Sequence, residues 1–321
     1  MTAGVLLHMW GDIVEHPTIM IFDEAHLRTT PYSELFHMVL PMVRNKHVKL
    51  VVVSATLNSA TLVIFFAGVT HSIVRVQGRQ FPLHVFEPEQ DLAFENDEAL
   101  VDAIVELVLN EALLAIGSIL VFVRGKSMVE RVANVLREKF NADMEMEGWK
   151  VFAWFARAEE DLQRLVYNVR DDDFHTVVVS TDGLGAGKAF VSFRTVISSC
   201  QSNRLTSLRL MNQVDNSKEG VKQEGGRVGR TGVLGAGRHV LLRQISSLPY
   251  THAPDIQTGM LHRTTLRLVR DRRLEPFRPE DWPAGEAPEV AKLDATFAAL
   301  EAANCVWRGP TGEPELTPPR M

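Results

Sequence analysis

The stretch Thr18-Ile19-Met20-Ile21-Phe22-Asp23-Glu24-Ala25-His26 runs from five apolar or β-branched residues straight into two adjacent carboxylates and an imidazole. The first five residues read as a buried strand. In open α/β sheets, ligands bind beyond the carboxyl ends of the strands. Asp23 and Glu24 therefore stand where such a fold places its chemistry. One carboxylate there can hold Mg²⁺ through water while its neighbour orients or deprotonates an attacking water. An acidic pair that merely opens a helix is the plainer alternative for these four residues taken alone.

Outward from this point the same kind of run recurs. Lys49–Val53, Ser72–Val76, Ile119–Val123 and Thr176–Val179 read as strands. Amphipathic segments lie between them: Tyr32–Val43, Asp97–Leu114, Ser127–Phe140 and Glu159–Val169. Asp97 and Glu98 put acids in a first helical turn, where the helix dipole favours them. Strands alternating with helices predict an α/β architecture of parallel sheets. The rhythm fades after residues 246–254, and eight of the fifteen prolines fall from Pro276 onward around one further helical pattern, Val290–Ala303.

Composition narrows the class. A length of 321 residues suggests about two domains. With 45% apolar and 23% charged residues, the chain is neither a disordered nor a fibrous protein. Cys200 and Cys305 are far apart with no CxxC spacing, which argues against a metal ribbon or disulfide framework and for a reducing compartment. Leu107–Val123 is interrupted by Asn110, Glu111 and Ser118, and the N-terminus has no basic segment, so no membrane segment or leader is expected. A soluble, intracellular protein is the expectation. The eleven histidines show no HExxH spacing and suggest no catalytic metal site.

The net charge of −6 is unevenly spread. Nine acids and no Lys or Arg lie between Gln80 and Val123, so the remainder of the chain carries +3. From Arg238 to Arg273 seven arginines face two aspartates, a local +5 that can contact phosphates or simply be solvated. Arg263, Arg267 and Arg270 form one helical stripe, either RNA-facing or solvated.

A second strand end, Val51-Val52-Val53-Ser54-Ala55-Thr56, presents two hydroxyls after a buried run. Such hydroxyls can cap the next helix or serve a site. In the second half, Val177-Val178-Val179-Ser180-Thr181-Asp182 continues to Gly187, and Gln223-Glu224-Gly225-Gly226-Arg227-Val228-Gly229-Arg230 follows. Arg227 and Arg230, three apart, would project from one side of a helical turn and could neutralise a transferring γ-phosphoryl.

These motifs, in this order, resemble the DEAH-box branch of superfamily 2 helicases. The likeness extends through Phe65-Phe66, Gly78-Arg79-Gln80-Phe81-Pro82-Leu83, and Ile119–Val123 with Lys126 and Glu130. Thr2-Ala3-Gly4-Val5-Leu6-Leu7 is similar to the family's RNA-contacting motif Ib. The resemblance implies tandem RecA-like parallel-sheet domains, the first incomplete, followed by a partial helical winged-helix-like region. It places a partial first domain with the DEAH and SAT motifs at 1–84, a second with motifs IV, V and VI at 85–247, and the C-terminal region at 248–321. ATP or another NTP and Mg²⁺ are the implied cofactors, and RNA, single-stranded or duplex with an overhang, the implied partner.

It also implies roles. Asp23 would bind Mg²⁺ through water, with Glu24 beside it as general base. His26 and Gln223 would communicate across a cleft, and Arg227 and Arg230 would stabilise the γ-phosphoryl. Ser54 and Thr56 would couple closure to RNA grip, Asp182 and Gly187 would lie near the nucleotide, and Thr2, Gly4 and Thr181 would contact RNA. The string Gly226–Arg230 also resembles helicases of positive-strand RNA viruses, which leaves a viral origin, and with it host cytoplasm, open.

Departures are specific. Glu224 takes the place of the family's first motif VI arginine, Gly185 replaces an acidic residue, and residues 196–223 match the family hairpin poorly. The 22 residues before Asp23 contain no Gly-x-x-x-x-Gly-Lys-Ser/Thr, the loop whose amides cradle phosphates. Gly183-Leu184-Gly185-Ala186-Gly187-Lys188-Ala189 is a decoy: its spacing is one residue short and Ala189 has no hydroxyl for Mg²⁺. The expectation is an ATP-dependent RNA helicase, present as a chain lacking the P-loop and expected to hydrolyse little ATP alone. A catalytically inactive, helicase-derived RNA-binding or scaffold protein is the competing class, and a kinase using Lys188 a third.

Overall fold

The computed structural model describes residues 2–10, 18–25, 28–54, 66–76, 81–114, 117–155, 175–181, 192–205, 211–229, 235–253, 255–270, 287–310 and 314–317. The chain divides into two compact units. One combines Met1–Val74, Leu205–Leu210 and Ala253–Met321, and the other combines Arg75–Arg204 with Met211–His252.

The first unit opens with α1 (Ala3–His8), β1 (Thr18–Phe22), α2 (Thr30–Arg44) and β2 (Val48–Val52). β1 and β2 pair in parallel, Thr18 against Val48 through Phe22 against Val52. Met20 and Phe22 point into a core with Leu7, Trp10, Leu35, Val39 and Val48. The alternate residues Ile19 and Ile21 are each 66% exposed. β1 thus alternates rather than being buried on both faces, because among the described residues helices cover only one side of this two-stranded sheet. Residues 72–76, expected as a strand, have no regular structure, and Val74 and Val76 are more than 80% exposed. An apolar β-branched run becomes a strand only where a neighbour accepts its hydrogen bonds.

The second unit contains β3 (Leu83–Phe86), α3 (Asp97–Leu113), β4 (Ser118–Phe122), α4 (Gly125–Ala142), β5 (Lys150–Trp154), β6 (Thr176–Ser180) and β7 (Phe193–Ser198). It continues with β8 (Gln201–Leu205), β9 (Met211–Asp215), α5 (Lys218–Gly225) and β10 (Gly237–Leu241). Six strands form one sheet in the order β3-β10-β7-β4-β6-β5. Every pairing in it is parallel. The central strands β4 and β6 are buried at every residue, which is why their middles are the apolar runs Ile119–Phe122 and Val177–Val179. One face packs against α3 and α4 through Ile104, Val108, Val129, Val132 and Leu136, and the other buries Leu120, Phe122, Trp154 and Val178. Asn96 caps α3, its side chain accepting from the Ala99 amide at 2.9 Å. β3 spans the expected domain boundary between residues 84 and 85. The helix expected at 159–169 lies outside the described residues.

The C-terminal elements α6 (Asp255–Thr258), α7 (His262–Arg270), α8 (Val290–Ala302), β11 (Val306–Arg308) and β12 (Pro314–Leu316) belong to the first unit. β11 and β12 are antiparallel. The Asp255 amide donates to the Arg28 carbonyl at 3.1 Å, and Thr264 and Arg267 of α7 both hydrogen-bond the Glu34 carboxylate of α2. Glu34 is 3% exposed. Arg267 is therefore committed to an internal ion pair, and the arginine stripe of α7 is not one uniform RNA-facing surface. No described helix is long and apolar enough to cross a membrane.

Candidate functional site

The acidic pair sits where strand physics puts it. β1 ends at Phe22, and the next residues leave the sheet in a tight turn: the Val53 amide donates to the Phe22 carbonyl at 2.8 Å and the Ala25 amide donates to the Val53 carbonyl at 3.2 Å. Asp23 and Glu24 are thereby held at the carboxyl edge of the β1–β2 pair, with Ser54 directly after Val53. The Glu24 amide donates to Asp23 Oδ1 at 2.9 Å, which orients the carboxylate. Glu24 has φ of 54°, a left-handed conformation that non-glycine residues adopt at a cost of order 1 kcal/mol. Tyr32, in the first turn of α2, donates its hydroxyl to the Asp23 carbonyl. Burial, and then the charges of Asp23 and Glu24, hold the Tyr32 phenol above its ordinary pKa.

This arrangement fits a hard cation held through water. Asp23 is exposed at the strand end with its carboxylate oriented by a backbone amide. Mg²⁺ keeps much of its water and leans on substrate phosphates, so a single oriented carboxylate of this kind is a fitting ligand.

In α1, Thr2 caps the helix, its hydroxyl accepting from the Val5 amide at 3.4 Å. Gly4 follows in the first turn, and a Cβ built there would meet nothing within 4 Å. Space beside a helix N-terminus is compatible with close approach of a phosphate backbone.

The second unit carries the other candidates. Thr181 follows β6, and the Ser180 hydroxyl donates to its carbonyl at 2.7 Å. Thr181 lines a cavity of about 160 Å³ with Arg124, Gln201, Asn203, Met211 and Glu224. Its position beyond the carboxyl ends of β4 and β6 is the ligand end of a parallel sheet. Arg124 reaches it from the start of α4, pairing with Asp97 and hydrogen-bonding Gln201. Within residues 196–223, where the sequence departs from the family hairpin, β8 and β9 pair as a two-stranded sheet.

Motif VI begins inside a short helix. α5 ends at Gly225, and Gly226 caps it. The Arg227 amide donates to the Glu224 carbonyl at 3.0 Å in the turn that follows, and Gly229 is left-handed at φ 67°. Arg227 therefore lies beyond the end of α5, where the paired glycines stop the helix, and Arg230 lies outside the described residues. Gln223 lies within α5. Glu224, at the departing position, points inward: its Oε1 accepts from Asn216 Nδ2 at 2.8 Å, and it is 6% exposed. Burial, with the Glu224 charge adding to it, pushes the neighbouring Cys200 thiol up to about 12.

The structure thus brings Asp23, Glu24 and Ser54 together on one unit, and Thr181 and Glu224 around one cavity on the other, with Gln223 and Arg227 flanking Glu224. His26, Thr56, Asp182, Gly187 and Arg230 lie outside the described residues, as does the decoy loop at 183–189. Tyr32, Arg124 and Asn216 were not singled out from the sequence. For Tyr32 the available signal was a hydroxyl nine residues after Asp23, in the first turn of the following helix.

Comparison with known proteins bears on the whole arrangement. No family model matches the chain. It is 26% identical over 257 residues to proteins of Rattus norvegicus and Homo sapiens named "Probable ATP-dependent RNA helicase DHX40", covering 72% of this chain and 32% of each relative. Its fold matches the crystal structure of the Escherichia coli DExH-box NTPase HrpB with a TM-score of 0.75 at 20% identity, covering 98% of this chain and 38% of that one. These matches support a likeness to the DEAH-box branch of superfamily 2 helicases. The β1–β2 pair and the six-stranded sheet are parallel, and the strand ends that lead to Asp23 and Ser54 lie side by side. The chain spans about a third of the length of the curated relatives it matches.

Proposed function

We propose that this chain is part of an ATP-dependent RNA helicase, in which nucleotide hydrolysis drives translocation along RNA. The observation that carries this proposal is the turn that presents Asp23 and Glu24 at the carboxyl edge of β1, tied through Ala25 and Val53 to the strand that ends at Ser54. Mg²⁺, when bound with the nucleotide, supplies charge neutralisation at the phosphates. Asp23 holds a water of that ion, and Glu24 accepts the proton of the attacking water. Arg227 and Arg230 offset charge on the γ-phosphoryl, and Gln223 and His26 report its presence. Ser54 and Thr56 pass that state to the RNA grip, which Thr2, Gly4 and Thr181 provide, while Asp182 and Gly187 lie near the nucleotide. The domain limits of 1–84, 85–247 and 248–321 remain the proposed boundaries of functional modules.

RNA-stimulated NTP hydrolysis by the natural-length protein tests this. Glu24→Gln should lower turnover by about 10²- to 10⁴-fold with RNA binding retained, and unchanged turnover would refute the assignment. The 321-residue chain contains no Gly-x-x-x-x-Gly-Lys-Ser/Thr, so slow hydrolysis is expected from it alone. Glu224 in the place of a family arginine favours a second reading, an RNA-binding protein with weakened hydrolysis. In that case the natural-length protein would bind single strands with no RNA-stimulated turnover.

A further inference from the structure

We infer that the Tyr32 hydroxyl is a positioning group for the Asp23-Glu24 pair, holding the carboxylates in the geometry that a cation and an attacking water require. This rests on the proposed role of those two residues. Glu24 occupies a left-handed conformation at φ 54°, which does not persist unless its surroundings hold it. Two of its supports are hydrogen bonds from backbone amides: the Glu24 amide donates to the Asp23 side chain at Oδ1, 2.9 Å away, and the Ala25 amide to the Val53 carbonyl at 3.2 Å. The first moves with Asp23, and the second anchors only the residue after the pair. The Asp23 carbonyl, which sets the peptide plane between the two acids, is held by a group from outside the turn, the Tyr32 hydroxyl.

Tyr32 is itself fixed. Its ring meets Phe22 edge-on, centroids 6.2 Å apart at 86°, and Phe22 meets Phe36 of the same helix at 5.2 Å and 75°. Pro31 stands at the start of α2 and restricts the backbone immediately before it. The first turn of α2 is thus a rigid strut between the helix body and the strand end. It converts the position of α2 into the orientation of two carboxylates. The phenylalanine of Tyr32→Phe would keep the ring packing and remove the hydroxyl alone, so packing and positioning separate cleanly.

The test uses the 321-residue chain with Tyr32→Phe and Asp23→Asn, and needs no turnover. Amide hydrogen exchange is read at Glu24, Ala25 and along α2, and Mn²⁺ alone is titrated while broadening of the Glu24 and Ala25 amide signals is followed. Tyr32→Phe should speed exchange at Glu24 and Ala25 by about tenfold, the effect of one lost hydrogen bond, and leave the body of α2 unchanged. It should also raise the Mn²⁺ midpoint several-fold, while Asp23→Asn abolishes the broadening. Exchange in Tyr32→Phe that matches the wild type, or that rises uniformly through α2, overturns the proposal. So does an unchanged Mn²⁺ midpoint when Asp23→Asn still abolishes the effect. Absence of broadening in the wild type would instead refute the ion-holding role of Asp23, and exchange alone would then decide for or against Tyr32.

Discussion

Gly4 and Cys200 show how far single positions can be argued. Gly4 lies in the first turn of α1 with open space around it, so Gly4→Ala removes unfolded-state entropy without a clash. It should raise stability by about 0.5–1 kcal/mol in denaturant unfolding. If RNA passes close to that backbone, the same substitution should weaken RNA binding, and an unchanged affinity would remove Gly4 from the RNA contact. Cys200 is buried and Cys305 exposed. With its thiol pushed up to about 12, Cys200 stays protonated and shielded at pH 8, so a thiol reagent should label Cys305 rapidly and Cys200 only after denaturation. Fast labelling of both cysteines in the native chain would contradict this burial.

At the scale of elements, the docking of α7 on α2 depends on one buried charge. Glu34 is 3% exposed and receives both Thr264 and Arg267. Removing one partner of a buried pair leaves the other charge uncompensated, so Arg267→Ala should cost about 3–5 kcal/mol in urea unfolding of the first unit. Arg267→Met together with Glu34→Leu should recover much of that loss, because apolar side chains of similar volume need no solvation. A cost below about 1 kcal/mol for Arg267→Ala would mean that water reaches the pair. In motif VI the helix end is set locally: α5 stops at Gly225, and Arg227 lies in the turn beyond it.

For the whole molecule, the charge distribution matters more than the sum. The net −6 conceals nine acids between Gln80 and Val123 and a mildly basic remainder. A strand held through about three phosphates should lose roughly twentyfold in affinity between 50 and 200 mM salt, with little dependence on base sequence. Affinity that ignores salt would exclude a backbone grip. Binding that follows base identity would place recognition in the cavity beside Thr181 rather than along the phosphates.

Much of this architecture was legible in the chain itself. The strands β1, β2, β4 and β6 and the helices α2, α3, α4 and α8 fall within one or two residues of their expected places, because apolar periodicity is a local property. So was the location of Asp23, Glu24 and Ser54 at strand ends. Partnership was not legible. Residues 72–76 carry a strand's composition without a strand, since composition does not state whether a neighbouring edge is present. The order of the six-stranded sheet, the inward turn of Glu224 toward Asn216, the capture of Arg267 by Glu34 and the hydroxyl of Tyr32 on the Asp23 carbonyl all join residues across turns or distant segments. The sequence by itself determined the element types and the chemistry available at strand ends. Only the tertiary structure decided which side chains meet, because hydrogen bonds and ion pairs depend on distances that hydrophobic patterning does not encode.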